Sequence, residues 1–207
     1  MSALHHLRLL TAVLVVCVLW SGVAPTERHT WWLEIAPVLI VLPLLWWSVR
    51  RFPLTPLLYV LIGIHGAILC YGGAYTYAET PLGFWLQDLM GSSRNHYDRI
   101  GHLAQGFVPA IAAREILLRT SPLVRGRWLA FLVCCTCLAC SAFYEFIEWW
   151  AAAISGEAAD SFLGTQGDPW DTQWDMFLAL CGAIAALLSL SRWHDVHLRK
   201  LLGAESD

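Results

Sequence analysis

Carboxylate and imidazole side chains recur at helical spacing in three separate stretches of the sequence. The three pairs are Asp98 with His102, Glu145 with Glu148, and Asp171 with Asp175. Since residues three or four apart lie on one face of a helix, each pair is predicted to present its polar groups together. His, Asp and Glu are the side chains that bind divalent transition metals and that act as general acids or bases.

The chain around these pairs is too apolar for an ordinary soluble protein. Of its 207 residues, 57% are hydrophobic and 14% are charged, whereas soluble domains carry about 25% charged residues. A bilayer-spanning helix needs about 20 mostly apolar residues, and six stretches approach or exceed that length: 7–23, 31–49, 54–75, 99–118, 128–152 and 174–190. We therefore expect an all-α, polytopic membrane helix bundle with about six transmembrane helices, forming one domain over residues 1–207.

The placement of basic residues predicts how the bundle is oriented. With a cytoplasmic N-terminus, ten of the 13 lysine and arginine residues fall on the cytoplasmic side, and the other three are Arg28, Arg94 and Arg99. Because positive charges favour cytoplasmic loops, both termini are predicted to be cytoplasmic. The first stretch has the alternative interpretation of a cleaved signal peptide, which would leave the remaining topology unchanged.

Two long connections lie on the predicted outer side, at residues 76–98 and 153–173. The first contains several large apolar residues and few charges, which favours a short helix in the membrane interface. Such a helix would equally serve as a lid over a site beneath it. The second connection is an acidic loop.

On this topology the three polar pairs converge on the outer end of the bundle. Placing a charged side chain at the bilayer centre costs roughly 2.5–3.5 kcal/mol on insertion scales, so Glu145 and Glu148 are expected to face the interior. Arg94 and Arg99 are the arginines nearest to the six local acids, which leaves about four negative charges in excess. A bound metal, protons or open water must compensate for them.

Helix capping offers a simpler explanation for some of these residues. Asn95 with Asp98 resembles a capping box, and Asp168 followed by proline is typical of a helix N-cap. Asp171 would then lie in the first turn, where the helix dipole favours an acid. His96 is more simply a solvated loop residue. Capping leaves the following residues unexplained: His102, Glu145, Glu148 and Asp175.

Several other polar residues are weaker candidates. Glu34, near the outer end of the second stretch, would be able to join the cluster. His65 is more simply a buried histidine bonded to a backbone carbonyl, and Glu115 is expected to pair with Arg119 one turn away. The seven cysteines all lie in apolar stretches, so they are predicted to be core residues rather than disulfides or thiol metal ligands.

Three motifs resemble the YjdF family of bacterial inner-membrane proteins: residues 96–106 (HYDRIGHLAQG), 144–150 (YEFIEWW) and 164–176 (GTQGDPWDTQWDM). The resemblance covers nearly the whole chain and implies a bacterial inner-membrane location without specifying a reaction. The order of the three polar pairs along the chain is more distantly similar to the order of such residues in VanZ-like membrane proteins. The positions that would carry over are Asp98 and His102, Glu145 or Glu148, and Asp171 or Asp175.

The favoured hypothesis is a metal-dependent hydrolase or transferase that acts on a lipid or envelope precursor. Glu145 or Glu148 would act as general base, and the cofactor would be Zn²⁺, Mn²⁺ or Fe²⁺. The expected metal ligands are His96, Asp98, His102, Glu148, Asp171 and Asp175. The alternatives are a proton- or ion-coupled transporter and a non-catalytic membrane scaffold. The lipid bilayer is the expected partner, and a chain with a single lysine has no basic excess for nucleic acid.

Overall fold

Seven α-helices make up most of the protein in the computed structural model, which describes residues 2–155 and 163–203. They are α1 (Ala3–Val23), α2 (Arg28–Ser48), α3 (Pro56–Tyr75), α4 (Pro81–Met90), α5 (Tyr97–Thr120), α6 (Arg127–Ser155) and α7 (Asp171–Leu201). A short 3-10 turn at Tyr77–Glu79 precedes α4. The described residues contain no strand, and the predicted all-α fold is confirmed.

Five of these helices, α1, α2, α3, α6 and α7, are long and apolar enough to cross a membrane. The sixth long helix, α5, has 24 residues and a length of about 36 Å at 1.5 Å per residue. It is more polar than the others, and it packs against α3, α6 and α7. Because these neighbours cover it, α5 can keep its charged residues inside the bundle and away from lipid.

Ion pairs at both ends of the bundle show that α5 and α7 run parallel. Arg94, just before α5, pairs with Asp171 at the start of α7. Near the other end, Arg114 Nη2 lies 2.7 Å from Asp195 Oδ1. The polar pairs of α5 and α7 therefore lie at the same end. The side of the membrane that this end faces stays a prediction.

Glycines let α5 and α7 approach each other closely. A Cβ atom at Gly106 would overlap the carbonyl oxygen of Ala179, and one at Gly182 would overlap the carbonyl oxygen of Leu103. Backbone atoms cannot yield unless the helices separate. Small residues at such interfaces are typical of membrane helix packing. The close approach brings the α7 carboxylates within reach of His102 on α5.

A fully paired polar network holds the opposite end of α5. The Glu115 carboxylate accepts hydrogen bonds from Thr55 Oγ1 at 2.8 Å, from Arg119 Nη1 at 2.7 Å and from His194 Nε2 at 3.1 Å. Arg114 Nη1 in turn lies 2.7 Å from His194 Nδ1. The predicted pairing of Glu115 with Arg119 is confirmed, and the network ties α5 to α3 and α7.

The two long connections are described to different extents. The first, 76–98, contains α4, whose Phe84, Trp85 and Leu89 side chains are exposed. Its placement in the membrane interface, or as a lid, stays a prediction. In the second, 153–173, residues 156–162 lie outside the described residues. All seven cysteines are free thiols.

Replacing Gly106 with alanine should destabilise the bundle, because the added methyl group meets the rigid Ala179 carbonyl. Overpacking of this kind costs about 1–3 kcal/mol. Gly63→Ala is the matched control, since its added methyl would lie 3.3 Å from the flexible end of Leu10. Thermal unfolding in detergent should show a lower midpoint for Gly106→Ala alone. Equal midpoints for the two variants would contradict close packing at this crossing.

Candidate metal centre

Six carboxylates and one histidine are buried at one end of the bundle, and we call them the carboxylate–histidine cluster. The acids are only 2–8% exposed. They come from four different helices, so the cluster depends on the tertiary fold. Its members are Glu34 on α2, Asp98 and His102 on α5, Glu145 and Glu148 on α6, and Asp171 and Asp175 on α7.

His102 lies between carboxylates of α5, α6 and α7. Its Nε2 atom is 3.4 Å from Asp98 Oδ1 and 3.8 Å from Asp175 Oδ2. Its Nδ1 atom is 2.9 Å from Gln105 Oε1 and 4.0 Å from Glu145 Oε1. An Nδ1–H that donates to Gln105 leaves the Nε2 lone pair directed at the two aspartates. An outer hydrogen bond commonly fixes the tautomer and orientation of metal-binding histidines in this way.

Two sets of cluster residues have ligand atoms close enough to share one cation. They are Asp98–His102–Asp175 and His102–Glu145–Glu148, with all ligand atoms within 4.8 Å of one another in each set. Ligands about 2.0–2.2 Å from a tetrahedral metal lie roughly 3.4 Å apart, which is close to the distances around Nε2. The second set approaches the ring through Nδ1, which Gln105 already occupies. The first set is therefore the better cation site, and it leaves Glu145 and Glu148 beside it.

The arginines near the cluster neutralise only part of its charge. Arg94 Nη2 lies 2.5 Å from Asp171 Oδ1 and 3.5 Å from Asp98 Oδ2. Arg99 pairs instead with Asp168, at 3.4 Å. Arg94 therefore balances one of the six cluster carboxylates, and even a protonated His102 would leave four of them without a counter-charge among the described residues. That excess calls for bound cations or protons.

Unpaired oxygen atoms lie at the same place. Glu145 Oε1 and Asp175 Oδ1 are buried and make no hydrogen bond within the described part of the chain. Buried polar atoms are nearly always paired, and an unpaired one calls for an ion, a water or a functional role. Both atoms belong to residues that lie beside His102, so the space around this ring is where an added group would pair them. The two Asp171 oxygens also make no hydrogen bond there, but Asp171 forms an ion pair with Arg94.

Three predicted ligands lie outside the Asp98–His102–Asp175 set: Glu148 belongs to the second set, and His96 and Asp171 belong to neither. His96 lies in the turn before α5, where its Nε2 atom is 2.9 Å from Ser92 Oγ, and it belongs to neither ligand set. Burial, followed by the charges of Arg99 and Arg94, lowers the pKa of His96, so its ring is neutral at neutral pH. Asp171 is in the cluster, but it faces Arg94 rather than His102.

The capping interpretations are only partly in line with the structure. Asp168 Oδ1 accepts a hydrogen bond from the Trp170 backbone N–H at 2.9 Å, although α7 begins at Asp171 and not directly after Asp168. Asn95 Oδ1 likewise accepts from the Tyr97 backbone N–H at 3.1 Å, while the residue before α5 is His96. Both side chains organise the turns that lead into helices, and neither role requires Asp98 or Asp175.

Beside His102 lies a cavity of about 70 Å³, which is room for several water molecules at roughly 10–15 Å³ each. Besides cluster residues, its lining includes His65, Tyr77, Gln105 and Tyr144. Neither tyrosine was predicted as a site residue. For Tyr77, the signal in the sequence was the glycine at position 101, because Tyr77 packs where a Cβ atom of Gly101 would lie.

Tyr77 brings a hydroxyl group to the Glu34 side of the cavity. Glu34 and Tyr77 line the same cavity, and Glu34 thereby joins the site, as the sequence indicated that it could. Burial, and then the charge of Glu34, raises the pKa of Tyr77 well above its usual range. The phenol therefore stays protonated and remains a hydrogen-bond donor inside the cavity.

Comparison with known proteins identifies the family. Residues 6–196 match the family model described as "Predicted membrane protein (DUF2238)". The chain is 54% identical over 188 residues to the Inner membrane protein YjdF of Escherichia coli (strain K12), which covers 90% of each chain. No solved structure matches. The chain therefore belongs to the DUF2238 family and is, as its resemblance to YjdF predicted, a multi-pass protein of the bacterial inner membrane.

Proposed function

We propose that this protein is a divalent-metal-dependent hydrolase or transferase whose substrate is a lipid or a lipid-linked envelope precursor. The observation that carries the proposal is the arrangement around His102. Its Nε2 atom faces Asp98 and Asp175, within a buried group of acids that lacks counter-charge. Two carboxylates and one imidazole are a donor set that suits Zn²⁺, Mn²⁺ or Fe²⁺.

The residues around this site have separate roles in the proposed reaction. When bound, a divalent cation lowers the pKa of a coordinated water to about 7 and polarises a substrate oxygen. Asp98, His102 and Asp175 would hold it. Glu145 has a free, buried Oε1 atom 4.0 Å from the His102 ring. It would accept the proton that the attacking water or hydroxyl group gives up, as a general base must.

Glu148 connects the inner cavity with the outside of the bundle. It lines the cavity beside His102, and it also lines a larger cleft of about 370 Å³ between α6 and α7. Trp149 and Thr172 line the same cleft. A polar substrate group entering through this cleft would reach Glu145 and Glu148 first, so Glu148 is placed to donate a proton to the leaving oxygen.

Ion-coupled transport is the second candidate, because His65 extends the polar cavity toward the middle of the bundle. Below His65, however, the next cavity is lined by aliphatic residues, prolines and glycine. A proton route would have to cross this apolar section to reach the paired network at Glu115. A scaffold role is less well supported, since acids that are 2–8% exposed offer little surface to a partner.

Purified protein should contain about one divalent transition metal per chain, measured by elemental analysis after metal supplementation and gel filtration. Asp175→Asn and His102→Ala each remove a ligand of the proposed site and should release most of this metal. Asp88→Asn is the matched control, because Asp88 is an exposed acid on α4, and this variant should retain the metal.

Folded wild-type protein that holds no more metal than His102→Ala would overturn the metal-dependent proposal. If such metal-free protein also conducted protons in liposomes, and Glu145→Gln abolished the conductance, the transport alternative would replace it. Near-identical thermal unfolding of the variants and the wild type would show that loss of metal is not loss of fold.

Gln105 should set the affinity of the site without binding the metal itself. Gln105→Leu removes the acceptor for His102 Nδ1–H, and loss of such an outer partner typically weakens metal binding by 10–100-fold. Gln105→Glu keeps an acceptor and should restore most of the affinity. Calorimetric titration of chelator-treated protein with Zn²⁺ measures the difference. Equal affinity in all three proteins would rule out this positioning role.

A further inference from the structure

An apolar groove adjoins the cavity beside His102. It has a volume of about 210 Å³ and lies between α2, α3 and α5. Pro37, His65 and Leu69 line both the groove and the polar cavity, so the two spaces share a wall. The remaining groove lining comes from aliphatic residues, Pro109 and Gly66. The lining of these adjoining spaces thus changes from acidic to aliphatic at His65.

The fold leaves this groove open because α2 and α5 both pack on α3 but do not pack closely on each other. Helix α2 packs on α1 and α3, whereas α5 packs on α3, α6 and α7. Pro37 in α2 and Pro109 in α5 face the gap. A proline inside a helix removes a backbone hydrogen bond and bends the helix away from the preceding turn. The two helices therefore do not close on each other at this depth.

The groove has the depth and the opening that a lipid tail requires. Val108 and Ala112 in its wall are six and ten residues beyond His102, which at 1.5 Å per residue is about 9–15 Å deeper. Half of a hydrocarbon core of about 30 Å is the same distance. Val41 lines the groove and is 37% exposed on a face of α2 that lies in the membrane.

We propose that this groove binds an acyl chain of the lipid substrate, with the polar head of the same lipid in the carboxylate–histidine cavity. The identity of the head rests on the proposed function, whereas binding of the chain does not. An apolar cavity of roughly 150 Å³ holds a benzene molecule, so a groove of 210 Å³ accommodates a segment of alkyl chain. The lipid would enter sideways from the bilayer at Val41.

Photo-cross-linking tests the groove directly. The full-length protein is reconstituted in vesicles of phosphatidylethanolamine and phosphatidylglycerol that contain a phospholipid with a diazirine at mid-chain. Peptide mapping should then find label on Val108 and Ala112. Val108 is only 5% exposed, so lipid that merely surrounds the protein cannot reach it.

Two substitutions should fill the groove and lower this labelling by about tenfold, which is about 1.4 kcal/mol of binding. They are Ala112→Phe on α5 and Ile62→Trp on α3, and both positions are half-buried in the groove wall. Ala67→Phe is the control. Ala67 is also half-buried, but it lines a separate cleft between α1 and α3 that shares no residue with the groove.

The outcomes separate this inference from the proposed function. Label on Val108, in a folded protein that takes up no metal after supplementation, would leave the groove as a lipid site and remove the metal-dependent reaction. A protein that binds metal but is labelled only at exposed side chains such as Val41 would overturn the groove. Labelling that Ala112→Phe and Ile62→Trp leave unchanged, with normal thermal unfolding, would overturn it as well.

Discussion

Burial of carboxylates without matching cations is the constraint on which the site depends. Six acids lie at one end of a membrane bundle and are 2–8% exposed, where the low dielectric makes each uncompensated charge costly. Arg94 is the arginine that contacts them there, and His102 lies among them as an imidazole whose Nε2 lone pair is free to bind a cation. A bound cation between Asp98, His102 and Asp175 would balance part of this charge and would give the cluster a chemical role.

The two ends of α5 contrast in a way that supports this interpretation. At one end, Glu115 accepts hydrogen bonds from three different residues, as a structural buried network requires. At the other end, Glu145 and Asp175 each have a buried oxygen without a hydrogen bond among the described residues. A paired network therefore surrounds one end of α5, and an incomplete site surrounds the other end. The close crossing of α5 and α7 at Gly106 and Gly182 holds the Glu115 network and the carboxylate–histidine cluster at a fixed separation.

Much of the fold and part of the site followed from sequence pattern. Apolar length predicted the membrane helices, and spacing placed Asp98 with His102 and Glu145 with Glu148, because both signals are local along the chain. The role of Gln105 in orienting His102, and the contribution of Tyr77, depend on rotamers and on a turn between helices that spacing does not encode. His96, the first residue of the 96–106 motif, was predicted as a ligand, but its ring lies against Ser92 in the turn before α5.

Arg94 shows a second limit of sequence reasoning. Its position near the acids was evident, but a count of charges does not tell which carboxylate it neutralises. The ion pair with Asp171 assigns one of the predicted ligands to a structural contact and leaves Asp98, His102 and Asp175 together. The groove below His65 was likewise hidden, because the aliphatic residues that line it have the same composition as any membrane helix.

Anomalous diffraction from crystals grown with Mn²⁺ tests the central claim most directly, because it locates the cation independently of any activity. We expect one strong peak within coordination distance of His102 Nε2, Asp98 and Asp175. A map without a peak inside the cluster, with those two carboxylates turned away from the ring and hydrated separately, would contradict it.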